Sequence, residues 1–137
     1  MKQVKLILVA LGILAVSGVY AQTKAAPWPE MKAFHTLMAG TYHPAEEGDL
    51  KPLKEKAVEL HKAAETWKAS KIPADFKEKE TKETLELLVK QTAEIAEKVK
   101  TNITDKELVG LITSAHDTFH KIAGECRKTD GHEGHGH

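Results

Sequence analysis

The sequence predicts an all-α protein with the architecture of an up-down-up-down antiparallel four-helix bundle. Apolar residues recur at helical spacing in four segments, glycine is sparse inside those segments, and no stretch shows the alternation of a half-buried strand. Short connections containing proline or glycine join the segments. Because short connections make consecutive helices antiparallel neighbours, the first and last helices should also lie side by side.

Residues 1–21 have the features of a secretory signal peptide. Lys2 and Lys5 precede an apolar run from Leu6 to Val16, and small residues lead to a cleavage site after Ala21. The apolar run is short for a bilayer span. We therefore expect an exported protein, periplasmic in a host with two membranes and secreted otherwise, with no membrane partner after cleavage.

The first helix is expected to begin near Pro29, which suits a first helical turn, and to end by His43, because Pro44 disfavours helix in the residue before it. The second helix follows the turn HPAEEGD, with Asp49 as its expected N-cap. The inward stripe of the first helix consists of Met31, His35, Met38 and Tyr42, widened by Phe34, Leu37 and Thr41. That of the second helix consists of Leu53, Ala57, Leu60, Ala64 and Trp67.

The third helix is expected to start after Asp75 and to run to about Thr101. The stretch TDKE, from Thr104 to Glu107, has the pattern of a capping box for the fourth helix. The two inward stripes consist of Leu85, Leu88, Thr92, Ile95 and Val99, and of Leu108, Ile112, Ala115, Phe119, Ile122 and Cys126. The bundle thus spans residues 22–128, and the polar, glycine-rich tail 129–137 is expected to be disordered.

The composition excludes several classes of function. The chain has a formal net charge of zero, and it lacks the basic stripe that a nucleic-acid-binding protein needs. No His-Glu-x-x-His or Gly-x-Ser-x-Gly motif, phosphate-binding glycine loop or Glu-x-x-His pair of the di-iron bundles occurs. We therefore expect a protein that is not an enzyme. The lone Cys126 is buried, bound to a metal, or paired in a homodimer.

The eight histidines are the main chemical signal. His116 and His120 are one helical turn apart and point the same way. In the antiparallel alignment of the first and last helices, His35 lies opposite His120 and Met38 near His116, and the second helix brings His61 to a similar height. The pattern predicts a buried metal site formed by His35, His116 and His120, with help from Met38 or His61. The alternative for each of these residues is that it binds no metal and is simply a core residue or a partly hydrated one.

The ligand types select the metal. Imidazole and thioether suit copper, zinc or nickel rather than calcium or magnesium. The tail GHEGHGH carries His132, His135 and His137, and such short tracts commonly bind transition metals loosely. We expect the tail to capture ions near the bundle. The leading hypothesis is thus an exported protein that stores, buffers or delivers copper, zinc or nickel.

The exported bundle, with thioethers in helix 1 and the stretch TFHKIAGECR late in helix 4, resembles the cytochrome b562 and cytochrome c′ superfamily. The resemblance implies that His120 is an axial haem ligand. The helix-1 ligand of the family falls near Phe34, and Met31, His35 or Met38 takes its place after a small shift. No Cys-x-x-Cys-His motif is present, so covalent haem is not implied. A haem b electron carrier is therefore the second hypothesis, and a cofactor-free structural or partner-binding bundle is the third.

Overall fold

The computed structural model describes residues 28–128. The predicted signal peptide, residues 22–27 and the histidine-rich tail lie outside the described residues. Four helices follow in chain order: α1 (Pro29–Glu46), α2 (Lys51–Ala69), α3 (Glu78–Lys98) and α4 (Asp105–Gly124). Consecutive helices pack against each other, and α1 packs against α4 to close the ring. The all-α four-helix bundle predicted from the sequence is confirmed, and its thinnest seam is the one between α1 and α4.

The stripes predicted for α2 and α4 form the core. Every residue of both stripes is buried, and four of the five inward residues of α3 are buried with them, Val99 being partly covered. The aromatic rings of Trp28, Phe34, Trp67, Phe76 and Phe119 pack together in one cluster. Burial of these apolar surfaces is the main driving force for folding. None of the described helices combines the length and apolar character that a membrane span requires.

The predicted inward face of α1 is wrong at His35. The buried residues of this helix are Phe34, Met38, Thr41, Tyr42 and Ala45, whereas His35 is exposed and Met31 is only partly buried. At about 100° per residue, His35 is rotated by roughly 80° from the centre of the buried arc. The imidazole therefore lies at the rim of the bundle and needs no partner in the core.

The predicted end of α1 is also wrong, because the helix continues through Pro44 to Glu46. Proline lacks only its own N–H, so in the last turn the helix loses a single hydrogen bond, and Gly40, one turn earlier, is exposed to water that can hydrate its carbonyl. Ala45 is buried and fixes the last turn to the core. The continuation places Tyr42 and Glu46 on one face, and the Tyr42 hydroxyl donates a hydrogen bond to Glu46 Oε1 at 2.7 Å.

The other helix boundaries follow local hydrogen bonding. The predicted N-cap of α2 is wrong by one residue: Leu50 occupies that position and makes no side-chain capping bond, whereas the Asp49 carboxylate accepts a hydrogen bond from the Lys51 N–H at 3.1 Å in the turn before the helix. The predicted capping box of α4 is present: the Thr104 hydroxyl accepts from the Glu107 N–H, and the Glu107 carboxylate accepts from the Thr104 N–H.

The segment that precedes α3 is held by the C-terminal end of the described chain. The Lys77 N–H donates to the Cys126 carbonyl at 2.8 Å, and the Lys128 N–H donates to the Asp75 carbonyl at 2.7 Å. Phe76 and Arg127 form an isolated antiparallel bridge. These bonds hold Phe76 and Lys77 extended after the turn at Ala74 and Asp75, so α3 begins at Glu78 rather than directly after Asp75.

Candidate functional site

Two imidazoles meet at the surface of α4, where the sequence predicted that they point the same way. The Nε2 atoms of His116 and His120 are 3.0 Å apart. The side chain of His116 is only 20% exposed, whereas His120 is exposed. The spacing of one helical turn brings the two side chains to the same face. The two nitrogens are thus within hydrogen-bond distance, so that one Nε2–H donates to the other Nε2 at the edge of the α1–α4 seam.

The other ring nitrogen of His116 restricts the protonation state of the pair. His116 Nδ1 is buried without a hydrogen-bond partner, and the nearest carboxylate oxygen, Asp117 Oδ1, is 3.8 Å away. A proton on Nδ1 is attracted to this carboxylate, whereas a lone pair there is repelled. The favoured neutral tautomer therefore carries its proton on Nδ1 and leaves the Nε2 lone pair facing His120. Ligation by Nε2, with Nδ1–H directed toward a carboxylate, is a common arrangement of metal-bound histidine.

Tyr42 of α1 holds the His116 ring in place. The two rings are stacked, with centroids 3.7 Å apart and planes 13° apart. The hydrogen bond to Glu46 fixes the Tyr42 ring in turn; it raises the pKa of Tyr42 and lowers the pKa of Glu46. A side chain of α1 thus orients a potential ligand of α4 across the thin seam.

The pKa of His116 is lowered from its ordinary value of 6.5, mainly because burial disfavours the imidazolium and secondly because His120 is close. Asp117 and Glu46 act in the opposite direction, and His43 adds to the lowering. His116 is therefore neutral at pH 7. Neutral imidazole is the form that coordinates metal ions.

His43 and His35 flank the pair on α1. The ring centroid of His43 is 6.5 Å from that of His116, and its Nδ1 is 3.4 Å from Glu46 Oε2. His35 stacks on Phe119 with centroids 4.9 Å apart and parallel planes. The four imidazoles lie along one side of the bundle and not in its interior, so the prediction of a buried site is corrected to a surface location.

Two of the predicted ligands lie elsewhere. His61 is on the opposite seam, between α2 and α3, where Nδ1 is 3.2 Å from Thr92 Oγ1 and Nε2 is 3.4 Å from Glu65 Oε1. Met38 is fully buried in the core. The antiparallel alignment predicts Met38 and His61 at the same height as the pair. However, the rotation of α1 directs Met38 into the core, and the order of the helices around the bundle places His61 on the side opposite the α1–α4 seam.

Within residues 28–128, no three His, Cys, Asp or Glu side chains are close enough together, as they stand, to hold a metal ion. Of the predicted haem ligands, His120 and His35 are exposed whereas Met38 is completely buried, so that His120 and Met38 do not face one haem as they stand. A groove of about 700 Å³ lies between the end of α3 and the start of α4, and none of these residues lines it. The haem hypothesis stays a prediction that requires the core to open.

Cys126 is buried, and its Sγ is 3.9 Å from Thr84 Oγ1. A disulfide-linked homodimer would require this end of the bundle to open, so that partner stays a prediction. His132, His135 and His137 lie outside the described residues.

Sequence reasoning missed the roles of Tyr42, Glu46 and Asp117. Tyr42 was assigned only to the core stripe, and Glu46 to the turn after α1. The spacing of four between Tyr42 and Glu46, together with an aromatic ring one residue before His43, was the available signal. Pro44 obscures this signal, because it predicts that the helix ends at His43.

Comparison of this chain with protein-family models, curated proteins and solved structures found no match. The resemblance to the cytochrome b562 and cytochrome c′ superfamily therefore depends only on the sequence features given above.

Proposed function

We propose that this chain is an exported protein that binds a transition-metal ion at its surface through His116 and His120, and that it buffers or delivers that ion. The observation that carries the proposal is the 3.0 Å separation of the two Nε2 atoms. Export depends on the predicted signal peptide, residues 1–21, and N-terminal sequencing of protein recovered from the periplasm or medium tests it.

The separation fits two ligands of one ion. With metal–nitrogen distances of about 2.0–2.1 Å, two nitrogens 3.0 Å apart subtend an angle of about 95° at the metal. This is the angle between neighbouring ligands in the tetragonal or square-planar geometry of Cu(II) and Ni(II). Tetrahedral Zn(II) needs about 3.3 Å, so its binding requires a small rotation of the exposed His120. Copper also forms the strongest complexes among these ions.

The openness of the site supports buffering or delivery over a structural role. Structural zinc sites are closed by four protein ligands, whereas this pair leaves coordination positions facing water. Another ligand can therefore approach the ion and remove it. The tail histidines His132, His135 and His137 are proposed to act as a second, looser binding element.

The test uses the full chain with H132A, H135A and H137A in place, titrated with Cu(II), Ni(II) and Zn(II) by calorimetry. We expect one ion to bind with the highest affinity for Cu(II), and we expect His120→Ala to abolish this binding. His61→Ala is the matched control, because His61 lies on the opposite seam. The bundle site would be rejected if no ion binds to the protein that lacks the tail histidines. It would also be rejected if His120→Ala leaves the binding unchanged.

The same samples distinguish the other hypotheses. A Soret band that appears on haem addition and disappears in His120→Ala would support the haem carrier. A melting temperature that no metal and no haem changes would support a bundle without a cofactor, because a ligand that binds only the folded state must stabilise it.

A further inference from the structure

We propose that His43 is a third ligand of this ion, so that the bound metal links α1 to α4 across the thinnest seam of the bundle. The inference rests on the proposed function, because it concerns the same ion. It adds a ligand from a second helix. The bound ion then links α1 to α4, which the pair on α4 alone cannot do.

The distances between ring centroids are compatible with a shared ion. An imidazole bound through Nε2 places its centroid about 3.2 Å from the metal, so two rings on one ion have centroids about 4.5 Å apart at right angles and at most about 6.4 Å apart. His116 and His120 are 4.4 Å apart by this measure. His43 and His116 are 6.5 Å apart, slightly beyond this maximum. The proposal therefore requires a rotation of His43 toward the pair.

The direction of the helices favours that rotation. Side chains on an α-helix lean toward its N-terminus. Because α1 and α4 are antiparallel, His43 and His120 lean toward the same level from opposite sides of the seam. The side chain of His43 is 66% exposed, and the structure gives it a 3.4 Å contact with Glu46. Such exposed pairs contribute little to stability, so His43 can turn at small cost.

The carboxylates beside the rings of His43 and His116 favour Nε2 as the ligand atom in both residues. Glu46 Oε2 is near Nδ1 of His43, and Asp117 Oδ1 is near Nδ1 of His116. A proton on each Nδ1 is thereby favoured, which leaves each Nε2 with its lone pair. Glu46 also fixes Tyr42, which stacks on His116. Glu46 thus orients His116 through Tyr42, and its contact with His43 before the ion binds favours the tautomer that can ligate through Nε2.

The experiment uses the full chain with the three tail histidines replaced by alanine, and Cu(II) as the probe. Electron paramagnetic resonance of the copper complex should show three coordinated imidazole nitrogens. His43→Ala should reduce them to two and weaken Cu(II) binding by about tenfold or more, since even the loss of a residue that only supports a ligand costs this much. His43→Gln should have the same effect while it keeps a polar side chain at the surface.

His61→Ala is the matched control, because His61 is another histidine at the surface but lies on the opposite seam, between α2 and α3. It should change neither the affinity nor the nitrogen count. Circular dichroism without metal checks that all variants fold. Copper binding that needs His116 and His120 but is unchanged in His43→Ala would overturn this inference and leave the proposed function intact. Absence of binding in the starting protein would reject the proposed function itself.

Discussion

Replacement of Met38 by leucine should leave both the stability of the bundle and its Cu(II) affinity nearly unchanged. Met38 is fully buried, and leucine has a similar volume, so the free energy of unfolding should fall by less than about 1.5 kcal/mol. Met38→Ala leaves a cavity instead and should cost about 2–5 kcal/mol. For a domain of this size the second change lowers Tm by roughly 10–30 °C.

The assay combines thermal unfolding, followed by far-ultraviolet circular dichroism, with Cu(II) titration of the protein that lacks the tail histidines. A Met38→Leu protein with normal Tm but tenfold weaker copper binding would show that the thioether is a ligand. That result would refute the assignment of Met38 to the core and would move the ion away from the surface pair. A loss of haem binding in the same variant would favour the haem hypothesis.

Three further predictions concern stability and access. Thr104→Ala should lower the free energy of unfolding by about 1 kcal/mol in urea titrations, because the hydroxyl that accepts from the Glu107 N–H is lost; no change would contradict the capping role. Since the folded state lowers the pKa of His116, the unfolded chain takes up this proton more readily, so the stability contribution of His116 is present above pH 6.5 and is lost as pH falls below it. Urea titrations at pH 7.5 and 5.5 should show this loss, and His116→Gln should diminish it. Cys126 should react slowly with a thiol reagent until the protein is denatured, and rapid labelling or a native disulfide dimer would contradict its burial.

The helices with continuous apolar stripes were predictable residue by residue. In α2 the stripe contains no polar residue, so the helical period determines the buried face uniquely, and every predicted residue is buried. The capping box of α4 was also evident, because its two bonds involve residues only three positions apart. Such features depend on local geometry, which the sequence determines directly.

The face of α1 was harder to predict because polar and apolar residues overlap on it. Met31 and Tyr42 fit two possible buried faces of α1, one that includes His35 and one that excludes it. The helical period allows both faces, and only packing against α4 selects one. The same holds for Pro44, whose effect depends on whether a helix has one turn left or several. The histidine pair followed from spacing alone, but its position at the surface depended on the rotation of both helices.

The bonds between residues 75–77 and 126–128 give the tail a fixed origin. This origin is Lys128, eight residues after His120 in the chain, and residues 129–137 can reach at most about 30 Å from it. On the proposed function, this tether would keep the tail histidines near the bundle at an effective concentration on the order of millimolar, so that exchange of an ion between the two elements would not depend on how dilute the protein is.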